Sequence, residues 1–515
     1  MAGLSIRIAG LSGNELQAGK TVSAKSIDLV TLRGTIYDCN LNPVTNADTD
    51  IYVAAKPSNE AIAILKGVLN PDVFESIKDR LSKGKPVAVK SGTAVENTEN
   101  IKSFYVPKRY GDDAFACHII GYLGADGTGV SGIEKSFDSF LSAEIKTARI
   151  RFSADANGRT MLGEEISVED NEIPKNGVVL TLDKDIQKIT EIALDRSGAE
   201  CAAAVVMEIK SGAVRACVSR PAFDRNRLAE ALNDKNSPLI NRAFLAFNVG
   251  SVFKPVVAAA ALENGVAADF EYNCTGNVTY NGVTFNCHKR SGHGILDMQG
   301  ALANSCNTYF IALANKTGAD SIIETAKRFG FGKQITLAEG MKSAKGYLPS
   351  EGDIDSKASL ANLSFGQGQL LATPLQICSM TATLANNGIC VYPYLVEGET
   401  DSSGNFIRIK HYRKKTRVIS ENTAKLLKKF LRSVVTDGSG KNAASEYVLT
   451  AGKTATAQTG RIENGNEIYN SWFLGYFPAD NPEYAVVIMR EKGEGGSTDC
   501  APVFRMIAET VYLTR

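Results

Sequence analysis

Three short polar motifs occur in one order along the second half of this chain, and any fold it adopts has to accommodate them as a set. They are Ser251-Val252-Phe253-Lys254, Ser305-Cys306-Asn307 and Lys453-Thr454-Ala455-Thr456. A serine and a lysine three apart on a helix share one face, about 5–6 Å apart at Cβ. A neutral amine there can take the proton from the hydroxyl, which is otherwise a poor nucleophile. The neighbouring residues predict that helix. Gly250 precedes the serine, Pro255 falls in the first turn where its missing N–H does no harm, Val256–Leu262 is Ala-rich, and Gly265 supplies a stop. Ser-x-x-Lys alone is a weak signal, because a chain this rich in both residues contains one by accident. The ordered set of three constrains far more.

The set resembles the penicillin-binding protein and serine β-lactamase superfamily, whose signature is Ser-x-x-Lys, Ser-x-Asn and Lys-Thr-Gly. Further segments are similar to one branch, the class B penicillin-binding proteins, which are monofunctional peptidoglycan transpeptidases. These are Arg33-Gly34-Thr35-Ile36-Tyr37-Asp38, Gly129-Val130-Ser131-Gly132-Ile133-Glu134, Asp155-Ala156-Asn157-Gly158-Arg159, and Leu180-Thr181-Leu182-Asp183. Gly366-Gln367-Gly368 followed by Thr373-Pro374-Leu375-Gln376, and Trp472-Phe473-Leu474-Gly475-Tyr476, extend the likeness to about residues 31–515. The resemblance implies an α+β chain: a transpeptidase domain of antiparallel sheet flanked by helices with a helical insert, and an elongated N-terminal pedestal.

The residue pattern agrees with that organisation. Residues 1–30 read as a leader, in part a strand. Residues 31–175 mix short alternating stretches (Thr35–Tyr37, Ile51–Ala54, Pro86–Val89) with short amphipathic helices such as Asn59–Leu69, which suits a pedestal. A turn-forming cluster, Ile173-Pro174-Lys175-Asn176-Gly177, sets the boundary between a 1–175 pedestal and a 176–515 transpeptidase domain. Beyond it the pattern predicts a strand at Val178–Leu182 and a helix at Asp185–Leu194 with Ile186, Ile189 and Ile192 on its apolar side. A hairpin of Ala202–Ile209 and Ala213–Val218, a second of Ser471–Phe477 and Tyr484–Arg490, and a last helix at Ala501–Leu513 complete the reading.

Composition narrows the partners. With 515 residues, 44% of them hydrophobic, the chain can bury a substantial core in two or three domains. A net charge of +1 argues against nucleic acid and gives no reason to invoke an anionic membrane surface. The longest apolar runs, Ala202–Met207 and Val256–Leu262, are far short of the ~20 residues of a bilayer span. The resemblance nevertheless implies an enzyme at the extracytoplasmic face of the cell membrane, so the expected anchor is an N-terminal helix preceding residue 1.

Roles follow from the resemblance, position by position. Ser251 attacks the carbonyl of the penultimate D-alanine of a stem peptide, Lys254 is its base, and Ser305 and Lys453 relay a proton to the leaving amine. Asn307 holds the substrate amide, Thr454 and Thr456 bind the terminal carboxylate, and Gln367 joins them as a substrate-binding residue. The N–H groups of Ser251 and Thr456 form the oxyanion hole. β-Lactams, as mimics of D-alanyl-D-alanine, acylate Ser251. The implied partner is a polytopic glycan polymerase in the membrane, and overall likeness leans towards the sporulation branch. No organic cofactor is implied. Ala455 departs from the pattern, standing where the third motif has Gly, and leaves open whether its methyl is tolerated, slows acylation or selects among β-lactams. The rival readings of the same motifs are a D,D-carboxypeptidase, a β-lactamase, and a non-enzymatic β-lactam sensor or scaffold.

Cysteine is the second informative feature. Of ten, Cys274, Cys287 and Cys306 combine with His293 in the spacing C-x12-C-x5-H-x12-C. Cys3His is a ligand set that tetrahedral zinc takes. Because Cys306 is the middle residue of the Ser-x-Asn motif, a structural Zn2+ would pin the loop carrying Ser305 and Asn307. It would also order the turn-rich stretch 274–294. Some relatives resemble this in having a zinc site of Asp, His and Cys. A Cys274–Cys287 disulfide and simple core packing of Cys306 remain open alternatives, and His288 is a geometrically poorer substitute for His293. The other cysteines read as core, His118 and His411 have no partner in sequence, and the Lys410–Arg417 charge run reads as a solvated strand face.

Overall fold

The computed structural model describes residues 23–155, 160–161, 165–280, 282–409 and 415–515. Residues 1–22 of the leader, 156–159 of the Asp155–Arg159 segment, and 410–414 of the charge run with His411 lie outside the described residues.

Contacts divide the chain into two units. The first takes the described residues up to Gly34, then Thr45–Gly111 and Ser142–Pro174. One antiparallel sheet in it joins Ser23–Leu32, Lys146–Ala154 and Ile166–Glu169. Another places Asp48–Ala55 between Val87–Ser91 and Ile101–Lys108. Helices Asn59–Val68 and Pro71–Ser82 bury Ala61, Leu65, Phe74, Ile77 and Leu81 against Val53 and Val87. Their starts are set by Ser58 and Asn70, whose side chains accept from the Ala61 and Asp72 N–H groups.

The second unit is Thr35–Val44, Asp112–Leu141 and Lys175–Arg515. The chain last enters this unit at Lys175, one residue before the 175/176 boundary read from the turn cluster. Two earlier segments also belong to it, and Thr35–Tyr37 pairs in parallel with Gly177–Leu180. Asp38 is fully buried and accepts from the N–H groups of Asn40 and Asn42 at 2.9 and 2.7 Å, so this motif builds a turn.

At its centre lies a five-stranded antiparallel sheet. We label its strands β1 (Ala202–Glu208), β2 (Val214–Arg220), β3 (Ala451–Glu463), β4 (Asn466–Phe477) and β5 (Tyr484–Arg490); the order is β2-β1-β5-β4-β3. Helices α1 (Lys184–Arg196) and α6 (Ala501–Thr514) cover one face, burying Ile186, Leu194, Phe504 and Ile507 against Ala204, Val206 and Phe473. On the other face runs α4 (Pro374–Ala385), every residue of which is buried, with the Cys378 thiol donating to the Val205 and Ala485 carbonyls. Covering both faces explains why β1 is a continuous apolar run without alternation.

Asp183 caps α1, accepting from the Asp185 and Ile186 N–H groups. Ile186 is buried and Ile189 partly so, but Ile192 is 38% exposed, contrary to the sequence expectation. Two steps of three residues fall about 120° short of two turns on a 3.6-residue helix, which carries Ile192 off the apolar stripe. Between β2 and β3 lies the helical insert, which includes α2 (Lys254–Glu263), α3 (Asn307–Thr317) and α5 (Glu421–Thr436).

Candidate active site and thiol cluster

Ser251 lies in a tight 3₁₀ turn, Gly250–Phe253, that passes straight into α2. Gly250 adopts φ +60° and donates its N–H to the Gly366 carbonyl at 2.9 Å; a methyl there would come 3.1 Å from the Ala457 Cβ. Glycine at this place therefore lets the serine turn sit against β3. Pro255 lies in the first turn and Gly265, at φ +80°, follows the last, as the sequence predicts.

One turn after the serine, Lys254 is fully buried. Its Nζ donates to the Ser305 carbonyl at 2.7 Å, to Asn307 Oδ1 at 2.7 Å and to Ser305 Oγ at 3.3 Å. It also stands 5.4 Å from the centre of the Phe310 ring. Burial pushes the amine down to about 8, against the opposing pull of Cys306 and Cys287. Ser305 itself takes φ +51°, a left-handed conformation uncommon for a residue with a side chain. That turn aims both its carbonyl and its hydroxyl at Lys254. The Asn307 amide is fixed from the other end, because its Nδ2 donates to the Asn286 carbonyl at 3.0 Å.

The third motif lies on β3, the sheet's edge strand, with Lys453 opposite Leu474, Ala455 opposite Trp472 and Thr456 opposite Ser471. Alternation puts Lys453, Ala455 and Ala457 on one face and Thr454 and Thr456 on the other. Lys453 is fully buried, donates to the Thr454 carbonyl at 2.9 Å, and is held well below the usual lysine range by burial and by the charge of Lys254. Thr454 is buried and shares a 2.9 Å hydrogen bond with Ser439, while Thr456 is exposed. Ala455 is 4% exposed, and its methyl shares the face of its cross-strand partner Trp472 and not that of the two threonines. Gln367 follows Gly366, whose carbonyl receives the Gly250 N–H; it is half-buried and lines a small cavity of about 230 Å³ with Asn362 and Asp353.

Cys274, Cys287, His293 and Cys306 converge, with all four candidate ligand atoms within 4.8 Å of one another. The sulfurs of Cys274 and Cys287 each lie 3.5 Å from His293 Nδ1, and those of Cys287 and Cys306 lie 3.9 Å apart. A tetrahedron with Zn–S near 2.3 Å and Zn–N near 2.0 Å has edges of about 3.8 Å between sulfurs and about 3.5 Å from sulfur to nitrogen. The donors therefore fit a tetrahedral ion. Cys274 and Cys287 are free thiols, so the disulfide alternative is not formed. His288 is outside the converging set, its ring centre 5.0 Å from that of His293. The Cys306 hydrogen bond holds the Cys287 thiol low, the direction that favours a thiolate ligand. Cys306 is also the residue immediately before α3.

Three contributors were not read from sequence. The Asn286 contact uses a backbone carbonyl and Phe310 a ring face, neither of which leaves a motif. Ser439 had a readable signal, Asp437-Gly438-Ser439-Gly440, a turn cluster directly after α5. Its N–H donates to the Ala303 carbonyl at 2.9 Å, docking the turn beside the Ser305 loop.

The profile of the family described as the penicillin binding protein transpeptidase domain matches residues 202–509. The chain is 29% identical over 454 residues to stage V sporulation protein D of Bacillus subtilis, an alignment covering 83% of this chain and 68% of that one. Its fold is similar to that of penicillin binding protein 3 from Mycobacterium tuberculosis complexed with aztreonam: TM-score 0.68, 24% identity, covering 95% of this chain and 97% of the other. It is also similar to a chain in the structure described as "Structural coordination of polymerization and crosslinking by a peptidoglycan synthase complex". There the TM-score is 0.73 at 23% identity, with 99% and 97% covered.

Proposed function

The chain belongs to the penicillin-binding protein transpeptidase family, and on that footing we propose that it is a serine D,D-transpeptidase cross-linking peptidoglycan stem peptides through a Ser251 acyl-enzyme. The observation that carries the reading is the buried Lys254 amine, one turn from Ser251, held by Ser305 and Asn307 and depressed to about 8.

Ser251 Oγ attacks the carbonyl carbon of the penultimate D-alanine while neutral Lys254 takes the hydroxyl proton. The developing oxyanion is met by the N–H groups of Ser251 and Thr456. The C–N bond breaks, and the terminal D-alanine leaves with a proton relayed through Ser305 and Lys453. An amine from a neighbouring strand then attacks the ester, forming the cross-link and returning the serine. Thr454 and Thr456 hold the terminal carboxylate, Asn307 the substrate amide, and Gln367 the flank of the cleft. A β-lactam enters the same route and stays as the acyl-enzyme. Its link to β-lactams is supported by the aztreonam complex of the M. tuberculosis relative.

Cys274, Cys287, His293 and Cys306 would hold a structural Zn2+, with four protein ligands leaving no open position. When bound, the ion supplies rigidity to the Ser305–Asn307 turn. The pedestal reading of the first unit, an anchor helix preceding residue 1, an extracytoplasmic location and a polytopic glycan polymerase as partner are parts of the same proposal. The synthase-complex relative supports the last of these, and the B. subtilis relative supports a place in sporulation.

The test is a donor peptide ending in D-alanyl-D-alanine, offered with a D-amino acid as acceptor. The expected result is a transfer product that Ser251→Ala does not form. Hydrolysis with no transfer would make the protein a D,D-carboxypeptidase, and penicillin acylation with neither would make it a sensor.

A further inference from the structure

The loop after β5 carries a buried carboxylate that the chemistry above does not use. Asp499 is 8% exposed at its side chain. Three donors converge on its Oδ2: Ser471 Oγ at 2.6 Å, the Glu494 N–H at 2.7 Å and the Gly495 N–H at 3.0 Å. Its Oδ1 lies 3.5 Å from Arg490 Nη1. Asp499 belongs to a single π-helical turn, Gly496–Cys500, that leads into α6. Such turns recur at functional sites.

What the carboxylate ties down is the strip of backbone against the third motif. The Gly493 N–H donates to the Tyr469 carbonyl at 3.0 Å. A methyl on Gly493 would lie 2.2 Å from Ser471 Oγ and 2.5 Å from Asp499 Oδ2. On Gly496 it would lie 2.1 Å from the Trp472 carbonyl and 2.5 Å from that of Ala455, and on Gly495 3.6 Å from Thr456 Oγ1. The loop thus rests directly on the Ala455–Trp472 pair and beside the Thr456 hydroxyl, on an edge strand that among the described residues pairs with β4 alone.

We propose that Asp499 is a positioning residue for the substrate carboxylate: by gathering Ser471, Glu494 and Gly495 it presses loop 493–496 against β3 and fixes Thr456. This rests on the reading of Thr454 and Thr456 as the carboxylate-binding pair. A residue acting this way governs how well the carboxylate is held and leaves the Ser251–Lys254 proton transfer alone.

Asp499→Asn keeps the shape, yet whichever way the amide turns, an NH2 group faces either the three donors or Arg490. The measurement is the concentration dependence of Ser251 acylation by a penicillin, followed by intact mass on the full chain. The half-saturating concentration is expected to rise roughly tenfold, the worth of one charge-assisted hydrogen bond. The limiting rate should hold within about twofold, since proton transfer is untouched. Ser471→Ala removes one of the donors and should move the same quantity in the same direction by less; it decides the matter if Asp499→Asn does not fold. Unchanged half-saturation in the folded variants would overturn the proposal, as would a fall confined to the limiting rate. An unmutated chain that takes no penicillin would sink the transpeptidase reading, and this proposal with it.

Discussion

Burial of Lys254 lowers the pH at which its amine gives up its proton. A lysine whose amine is pushed down to about 8 is mostly protonated below that pH and is a competent base above it. The limiting rate of acylation should therefore climb about tenfold per pH unit below that value and flatten above it. A rate indifferent to pH across that value would contradict the role. Asn307→Ala removes a 2.7 Å acceptor from Nζ and leaves a buried donor short of one partner. Acylation should slow by roughly tenfold or more, read as adduct formed over time. Ala455 is a milder case. Its methyl is packed against the Trp472 side, so Ala455→Gly should change penicillin acylation little while costing about 0.5–1 kcal/mol of stability by thermal unfolding. At this scale the sequence was informative wherever chemistry forces a local spacing, as it does for Ser251 with Lys254 and for Ser305 with Asn307. Ser439 and Asn286 escaped because they meet their partners across 15 and 21 residues, one through a hydroxyl of common type and one through a carbonyl every residue has.

Elements were legible where burial is strong and leaves a long apolar run. The hairpin of β1 and β2, the strands β4 and β5 and the terminal helix α6 lie close to where their apolar runs put them. The length of the β3–β4 hairpin did not stand out, although Asn464-Gly465, both at positive φ, is the turn pair such a ribbon prefers. The thiol cluster has the spacing that its residues suggested, and its geometry admits a further check. Cys287→Ser should lose bound zinc by elemental analysis and lower the unfolding midpoint by several degrees, since metal binding to a preformed cluster is folding free energy. Cobalt in the native chain should give the charge-transfer absorption of tetrahedral thiolate ligation. Zinc content unchanged by the substitution would remove the metal reading.

For the molecule as a whole, the linear boundary at 175/176 hides an interleaved chain. Thr35–Val44 and Asp112–Leu141 fold with the second unit, and no local pattern announces it, because a parallel pair such as Thr35–Tyr37 with Gly177–Leu180 is fixed only by the long crossover between them. A fragment of residues 176–515 should therefore unfold at a lower temperature than the full chain and recover when residues 35–44 and 112–141 are supplied with it. Equal midpoints would show that these segments are dispensable. The central claim concerns Ser251, and the most direct measurement is the intact mass of the full chain after incubation with a penicillin, beside Ser251→Ala. A single penicillin adduct on the native chain and none on the variant is the result expected. An adduct that persists in the variant, or a folded native chain that takes none, would contradict it.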